Sequence, residues 1–318
     1  MIKGEFAVKR TVKRKQRMHI IFLPVLICGI LTAVYAMLFV MTDDTKSPQI
    51  QIDQEILEVS VGADDAALLQ GVSAKDNADG DVTDSLIVEK ISSLAKDHTA
   101  TVTYAAFDRS GNVAKASRTL KYMDYQSPKF SQNQSLTFSA NSMQNILSFM
   151  GATDAIDGDI SSRVKGTLLS NANSLNEPGL YQVEFRVTNS MNETVYLTLP
   201  VEVYPAGTYN ANVELSDYLI YVKTGTAFDP ESYLEKVVVG TREYSLKNQG
   251  PTRQEKIRVY FNRYVDPDSV SEPNVRVVNV DMLSDVDTKT PGVYFVAYTV
   301  DCDGLYTGYA RLNVVVEE

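Results

Sequence analysis

Three short patterns in the 318-residue chain carry the residue types of a serine acyl-transfer site: Ser162-Arg-Val-Lys165, Ser190-Met-Asn192 and Lys223-Thr-Gly225. In such a site the first serine attacks a carbonyl from the start of a buried helix. A lysine one turn on manages its proton, and the other two patterns line the same cleft. Here the patterns stand well apart along the chain, in segments that read as strand and turn. Ser93-Leu-Ala-Lys96 matches the first pattern again, which shows how readily such short matches arise. The chain has two His, two Cys and no Trp, so imidazole-assisted catalysis and structural zinc lack side chains to build with. His98 falls in a turn, and His19 borders an apolar run where a polar-tipped ring is at home. The reading is therefore no catalytic residues, no metal and no cofactor.

Carboxylates offer a second chemistry. Ala74-Lys-Asp-Asn-Ala-Asp-Gly-Asp-Val-Thr83 aligns without a gap with a later segment, Ala152-Thr-Asp-Ala-Ile-Asp-Gly-Asp-Ile-Ser161. The pairs are Asp76 with Asp154, Asp79 with Asp157, Gly80 with Gly158 and Asp81 with Asp159. Oxygen ligands around a glycine suit a hard cation such as calcium. The EF-hand spacing fails, however: with Gly80 at the sixth position the first is Lys75 and the twelfth Leu86. Aspartates that accept from backbone N–H groups in a tight turn explain the motif without an ion, so all eight residues are expected to shape turns.

A third chemistry is electrostatic. Lys236, Arg242, Lys247, Arg253, Lys256, Arg258 and Arg263 crowd one stretch whose only acids are Glu243 and Glu255. A strand from Glu255 to Phe261 would turn Ile257, Val259 and Phe261 inward and Lys256, Arg258 and Tyr260 outward. Lys256, Arg258, Tyr260 and Arg263 are the candidate binding residues, for an anionic cell-wall polymer or an acidic protein partner.

These residues must be positioned by strands. Tyr181, Val183, Phe185 and Val187 alternate with Gln182, Glu184 and Arg186, the pattern of a half-buried antiparallel strand. Val102, Tyr104 and Ala106 repeat it, as do Tyr294, Val296, Tyr298 and Val300. The turns Asp108-Arg-Ser-Gly-Asn112, Asn189-Ser-Met-Asn192 and Asp301-Cys-Asp-Gly304 follow the three strands. Short strands and frequent turns, in units of roughly 80 to 110 residues, predict tandem β-sandwiches. Proline and small residues at Ser47-Pro48, Ser127-Pro128 and Tyr204-Pro-Ala-Gly207 mark their boundaries. The organisation expected is a basic tail over 1–18, a transmembrane helix over 19–41, and sandwich domains over 42–126, 127–206 and 207–318.

The transmembrane reading comes from the stretch between Ile20 and Met41, which holds no charged residue. At about 1.5 Å per residue that run covers the roughly 30 Å hydrocarbon core. The tail before Met18 is +6 and everything after it −16, so the positive-inside rule puts the N-terminus in the cytoplasm and the domains outside. A cleaved secretory signal ending near Val34-Tyr-Ala36 is the rival, although the apolar run continues past it to Met41. A body this acidic is repelled by phosphates, which excludes nucleic acid as its partner. Beyond the span only Cys302 remains, so that region holds no internal disulfide.

The order Asp-x-x-Asp-Gly-Asp-[Val/Ile]-[Thr/Ser], then Pro-Gly-x-Tyr-x-Val-x-[Phe/Tyr], then Asp-x-Ser-Gly-Asn resembles the bacterial immunoglobulin-like domains of pesticidal crystal proteins and Gram-positive surface proteins. The resemblance covers most of 47–204. The third unit lacks Asp-Gly-Asp and is longer. The resemblance implies Ig-like β-sandwiches that bind or act as spacers, without catalysis. The expected protein is thus all-β: a single-pass, membrane-anchored bacterial surface protein whose tandem domains form a stalk and adhesion module. A bitopic subunit of a membrane complex is the alternative, and an envelope enzyme with its site in the third domain comes after it.

Overall fold

A computed structural model describes residues 24–37, 44–142, 144–169, 174–246, 256–272 and 275–318. The basic tail, both ends of the expected span, and Lys247, Arg253 and Glu255 lie outside the described residues. Residues 24–37 form helix α1. Pro24 is its first described residue, and the Thr32 hydroxyl donates to the carbonyl of Cys28 at 2.9 Å. No described helix is long and apolar enough to cross a membrane. The other described residues form strands joined by turns and single helical turns.

The chain divides into two compact units. The first takes in residues up to Val59, Ala63–Ile91 and Thr101–Lys121. Its strands are β1 (Gln49–Ile52), β2 (Ile56–Val59), β3 (Val72–Asp76), β4 (Gly80–Asp81), β5 (Ile87–Ile91), β6 (Thr99–Phe107) and β7 (Val113–Tyr122). They form two sheets, ordered β1-β3-β4 and β2-β7-β6-β5. The alternation expected on β6 holds, since Val102, Tyr104 and Ala106 are wholly buried. The one-turn helix α2 (Asp65–Leu68) is capped by Asp64, whose carboxylate accepts from the amide of Ala67 at 2.9 Å. Its last carbonyl, at Leu68, accepts from the Tyr104 hydroxyl at 2.8 Å. Arg118, buried on β7, donates to that hydroxyl at 2.7 Å and to the carbonyl of Gln70 at 2.7 Å. Its guanidinium thereby ties the helix to the sheet through neutral oxygens.

The second unit runs from Tyr122 to Glu318 and includes Ser60–Gly62 and Ser92–Ala100. It contains two hydrophobic cores. Around the first are β8 (Lys129–Gln132), β9 (Thr137–Ser139), β10 (Met150–Asp154), β11 (Gly158–Asp159), β12 (Lys165–Leu168), β13 (Gly179–Thr188) and β14 (Thr194–Tyr204). Their sheets, β11-β10-β8 and β12-β13-β14-β9, repeat the strand orders of the first unit. Phe130, Met150 and Ala152 from one sheet meet Val183, Phe185, Leu199 and Val201 from the other, which makes a sandwich. Each large apolar side chain of this kind contributes roughly 1.5–3 kcal/mol on burial.

Around the second core are β15 (Asn212–Leu215), β16 (Leu219–Lys223), β17 (Leu234–Val239), β18 (Arg242–Ser245), β19 (Lys256–Phe261), β20 (Val275–Ser284), β21 (Gly292–Cys302) and β22 (Tyr306–Glu317). The sheets are β15-β17-β18 and β16-β22-β21-β20-β19. The plan is that of the other two sandwiches with one strand added: β19 pairs in parallel with β20 and forms the sheet edge. The extra length of the third unit is spent there. The two cores are joined by polar bonds. Asn313 donates to Gln132 at 2.9 Å, the amide of Phe130 donates to the Tyr221 hydroxyl at 3.2 Å, and buried Arg311 meets Glu202 at 2.6 Å.

Candidate functional site

The two Asp-Gly-Asp segments fold alike. Each is a hairpin, with Asp76 paired to Gly80 across β3–β4 and Asp154 to Gly158 across β10–β11. Asp76 accepts from the amides of Ala78 and Asp79 at 2.7 and 3.0 Å, and Asp154 from those of Ile156 and Asp157, both at 2.9 Å. Gly80 and Gly158 hold φ of 76° and 69°, a left-handed conformation that a side chain would strain. Asp81 accepts from the amide of Thr83 at 3.0 Å and Asp159 from that of Ser161 at 2.9 Å, starting the next helical turn. Bonds from the Asp79 and Ala78 amides hold the Asp76 carboxyl below the usual carboxylate range. Bonds from Thr83 and Ser161, led by their hydroxyls, do the same for Asp81 and Asp159.

The middle aspartates reach the turn that follows the long strand. Asp79 accepts from the amide of Arg109 at 2.8 Å. Asp157 accepts from the amide and hydroxyl of Ser190 at 2.7 and 2.5 Å, which with Arg163 lowers its pKa. Ser190 is therefore committed to this turn, and the Thr224 hydroxyl donates to the carbonyl of Glu317 at 2.6 Å. Two of the three acyl-transfer patterns thus spend a hydroxyl on scaffolding. His98 sits with φ of 59° in its turn, its ring 3.4 Å from Glu193.

The hairpins diverge at one place. At the end of β6 stands Asp108; its counterpart after β13 is Asn189. The Asn189 amide donates to Asp154 Oδ2 at 3.1 Å and to the Tyr125 hydroxyl at 2.9 Å, while its oxygen accepts from the Glu193 amide at 2.9 Å. Asp108 accepts from the amide and side chain of Asn112, both at 2.8 Å, and has nothing to donate to Asp76. Asp44, just before β1, completes a group in which one oxygen each of Asp44, Asp76 and Asp108 lies within 4.8 Å of the others. Asp44 is half-buried, while Asp76 and Asp108 are 8% and 9% exposed. The sequence identifies Asp76 as a turn residue but not the cluster it belongs to. Its three members lie far apart along the chain, and the only local sign is Asp108 standing where the second repeat has an amide.

The basic candidates lie on the edge of the third sandwich. On β19, Ile257, Val259 and Phe261 pack against the core, Arg258 is exposed and Tyr260 half-buried. Arg258 pairs with Glu272, and a bond with Tyr260 together with that carboxylate raises its pKa further. Lys256 is the first residue of the strand. Asn262, at φ of 51°, ends it, and exposed Arg263 and Tyr264 flank a shallow hollow floored by Thr299, Asp301 and Thr307. Lys236 is 3.2 Å from Glu214 and 3.3 Å from Glu243, so part of the local positive charge is neutralised. A second, open cleft in this unit presents Gln132, Asn133, Gln134, Asn212, Tyr218 and Tyr309 together with the carboxylates of Glu214 and Asp217.

No family model matches the chain. An uncharacterized 81.3 kDa protein of Acholeplasma phage L2 is 25% identical over 174 residues, 50% of this chain and 24% of that protein. The chain thus spans about a quarter of the length of this relative. Among solved structures, a Clostridium perfringens ZmpB fragment with CBM51-2 bound to GlcNAc and INT domains is 16% identical, over 52% of this chain and 31% of that one, with a TM-score of 0.20. The protocadherin gammaB4 extracellular domain is 10% identical over 87% of this chain and 52% of its own, with a TM-score of 0.19. Mouse cadherin-23 EC22-24 is 12% identical over 85% and 99%, with a TM-score of 0.18. At such scores these superpositions decide nothing, and the sheets and cores described above define the architecture.

Proposed function

We propose that the chain is a single-pass, membrane-anchored surface protein of a bacterial cell. Its tandem Ig-like sandwiches serve as a stalk and binding module for an envelope component or a protein partner, without catalysis. The observation that carries this reading is α1. Val25, Leu26, Ile27, Ile30, Leu31, Val34, Tyr35 and Met37 are 47–71% exposed around the helix. An apolar surface on every side of one helix is stable only when something apolar covers it. Lipid fits, because the charge-free run extends from Ile20 to Met41 and is preceded by a tail of +6. In this topology the acidic domains lie outside.

The experiment is protease treatment of intact cells that express the full chain with an epitope after Glu318. Loss of the epitope is expected, and its survival until the cells are permeabilised overturns the reading. Binding of the same cells to purified anionic wall polymer across a salt series then tests the basic edge. Salt-sensitive binding that falls on replacing Arg258 and Arg263 supports it. Exchange of residues 1–41 for an unrelated anchor leaves a stalk working, whereas a membrane-complex subunit fails.

A further inference from the structure

We propose that Asp44, Asp76 and Asp108 form a calcium site in the first unit. Three carboxylate oxygens converge within 4.8 Å, and two of the three side chains are more than nine-tenths buried. Asp76 Oδ2 is shielded from solvent and has no hydrogen-bond donor, and Asp44 Oδ2 is in the same condition. A buried carboxylate oxygen without a donor is costly, and three negative groups at this distance repel one another. The protein elsewhere has a remedy for the same oxygen: Asn189 donates to Asp154 Oδ2. In the first unit the amide is replaced by a carboxylate and a further carboxylate is added, which leaves the positive charge to be supplied from outside.

The donor set is all oxygen, which excludes soft metals and suits a hard cation. Calcium takes six to eight oxygens in adaptable geometry, so three carboxylates can supply half or more of its shell. Waters complete it on the side of half-buried Asp44. Asn112 braces the site by donating to both Asp108 Oδ2 and the carbonyl of Asp44 at 2.8 Å, tying the segment before β1 to the turn after β6.

The test uses the full chain in detergent micelles, stripped with a chelator and titrated with calcium chloride by calorimetry, with thermal unfolding in chelator and in calcium. One ion per chain is expected, with the unfolding of the first unit shifted up by roughly 10 °C at a hundredfold excess over Kd. Asp108→Asn is expected to abolish the shift. In chelator it should unfold at a higher temperature than the parent, because the new amide can donate to Asp76. Asp44→Asn, at the more exposed ligand, should weaken binding at least tenfold with the fold intact. Equal unfolding temperatures in chelator and calcium with no heat of binding overturn the proposal. So does a calcium response that survives Asp108→Asn, or a chelated protein stabilised by acid and indifferent to calcium, which would mean shared protons.

Discussion

One strand end is built three ways in this chain. At the end of the long central strand of each sandwich the same position is Asp108, Asn189 or Cys302, in surroundings tuned to each. Around Asp108 are two further carboxylates and a shortage of donors. Asn189 spends both ends of its amide on Asp154, Tyr125 and Glu193. Cys302 is wholly buried in the second core, and burial pushes its thiol up to about 12. The nearby polar duty there passes to Asp303, which accepts from the Val277 amide at 2.9 Å and from Arg276 at 3.1 Å. A repeated fold constrains the backbone at this spot and leaves the chemistry open.

The comparison breaks most severely with Cys302→Asp. A carboxylate with no partner in that core should cost about 4 kcal/mol or more, read as loss of the cooperative transition of the second unit in urea. The parent thiol should resist alkylation at about pH 8 until the unit unfolds, since its thiolate is scarce. Asn189→Asp comes next, at about 2–4 kcal/mol, because Asp154 loses its donor and gains a repelling neighbour. Calcium should not rescue it, because the neighbour that meets residue 189 from the segment before the first strand of that sandwich is the Tyr125 hydroxyl, while Asp124 accepts from the Val61 amide. Gly80→Ala and Gly158→Ala should each cost about 1–2 kcal/mol through left-handed strain. Equal losses in denaturant midpoint would show that the hairpins differ only at the later strand end.

The smallest effect is one of pH. Ser190 and Arg163 hold the Asp157 carboxyl low, so its bonds stabilise the fold above the ordinary carboxylate range and fade as pH falls through the depressed value. Thermal unfolding between neutral pH and about pH 4 should be nearly flat on this account and should then decline. Asp157→Asn should flatten that acid limb at a cost of roughly 1 kcal/mol.

What the sequence made legible was local. Alternation on β6, β13 and β21 identified the inward faces, and Asp-x-x-Asp-Gly-Asp named a hairpin whose bonds fall mostly between near neighbours in the chain. Arg118 was not legible, because an arginine at an inward position reads as surface until Tyr104, Leu68 and Gln70 are folded around it. The basic strand was visible, but its parallel pairing with β20 depends on a non-local crossover with no turn signature. The aspartate triad escaped for the same reason, since each carboxylate alone has a satisfactory account as a turn former.

In the second unit each sandwich pairs an early strand in parallel with its last. Thr137–Ser139 lies along Glu202–Tyr204, and Leu219–Lys223 along Asn313–Glu317. An antiparallel hairpin pulled by its ends opens one rung after another. Parallel partners pulled from opposite ends slide in shear, so their rungs must fail together. Tension drawn through the second unit would load those two ladders in shear, a resistance to force that no disulfide supplies among the described residues.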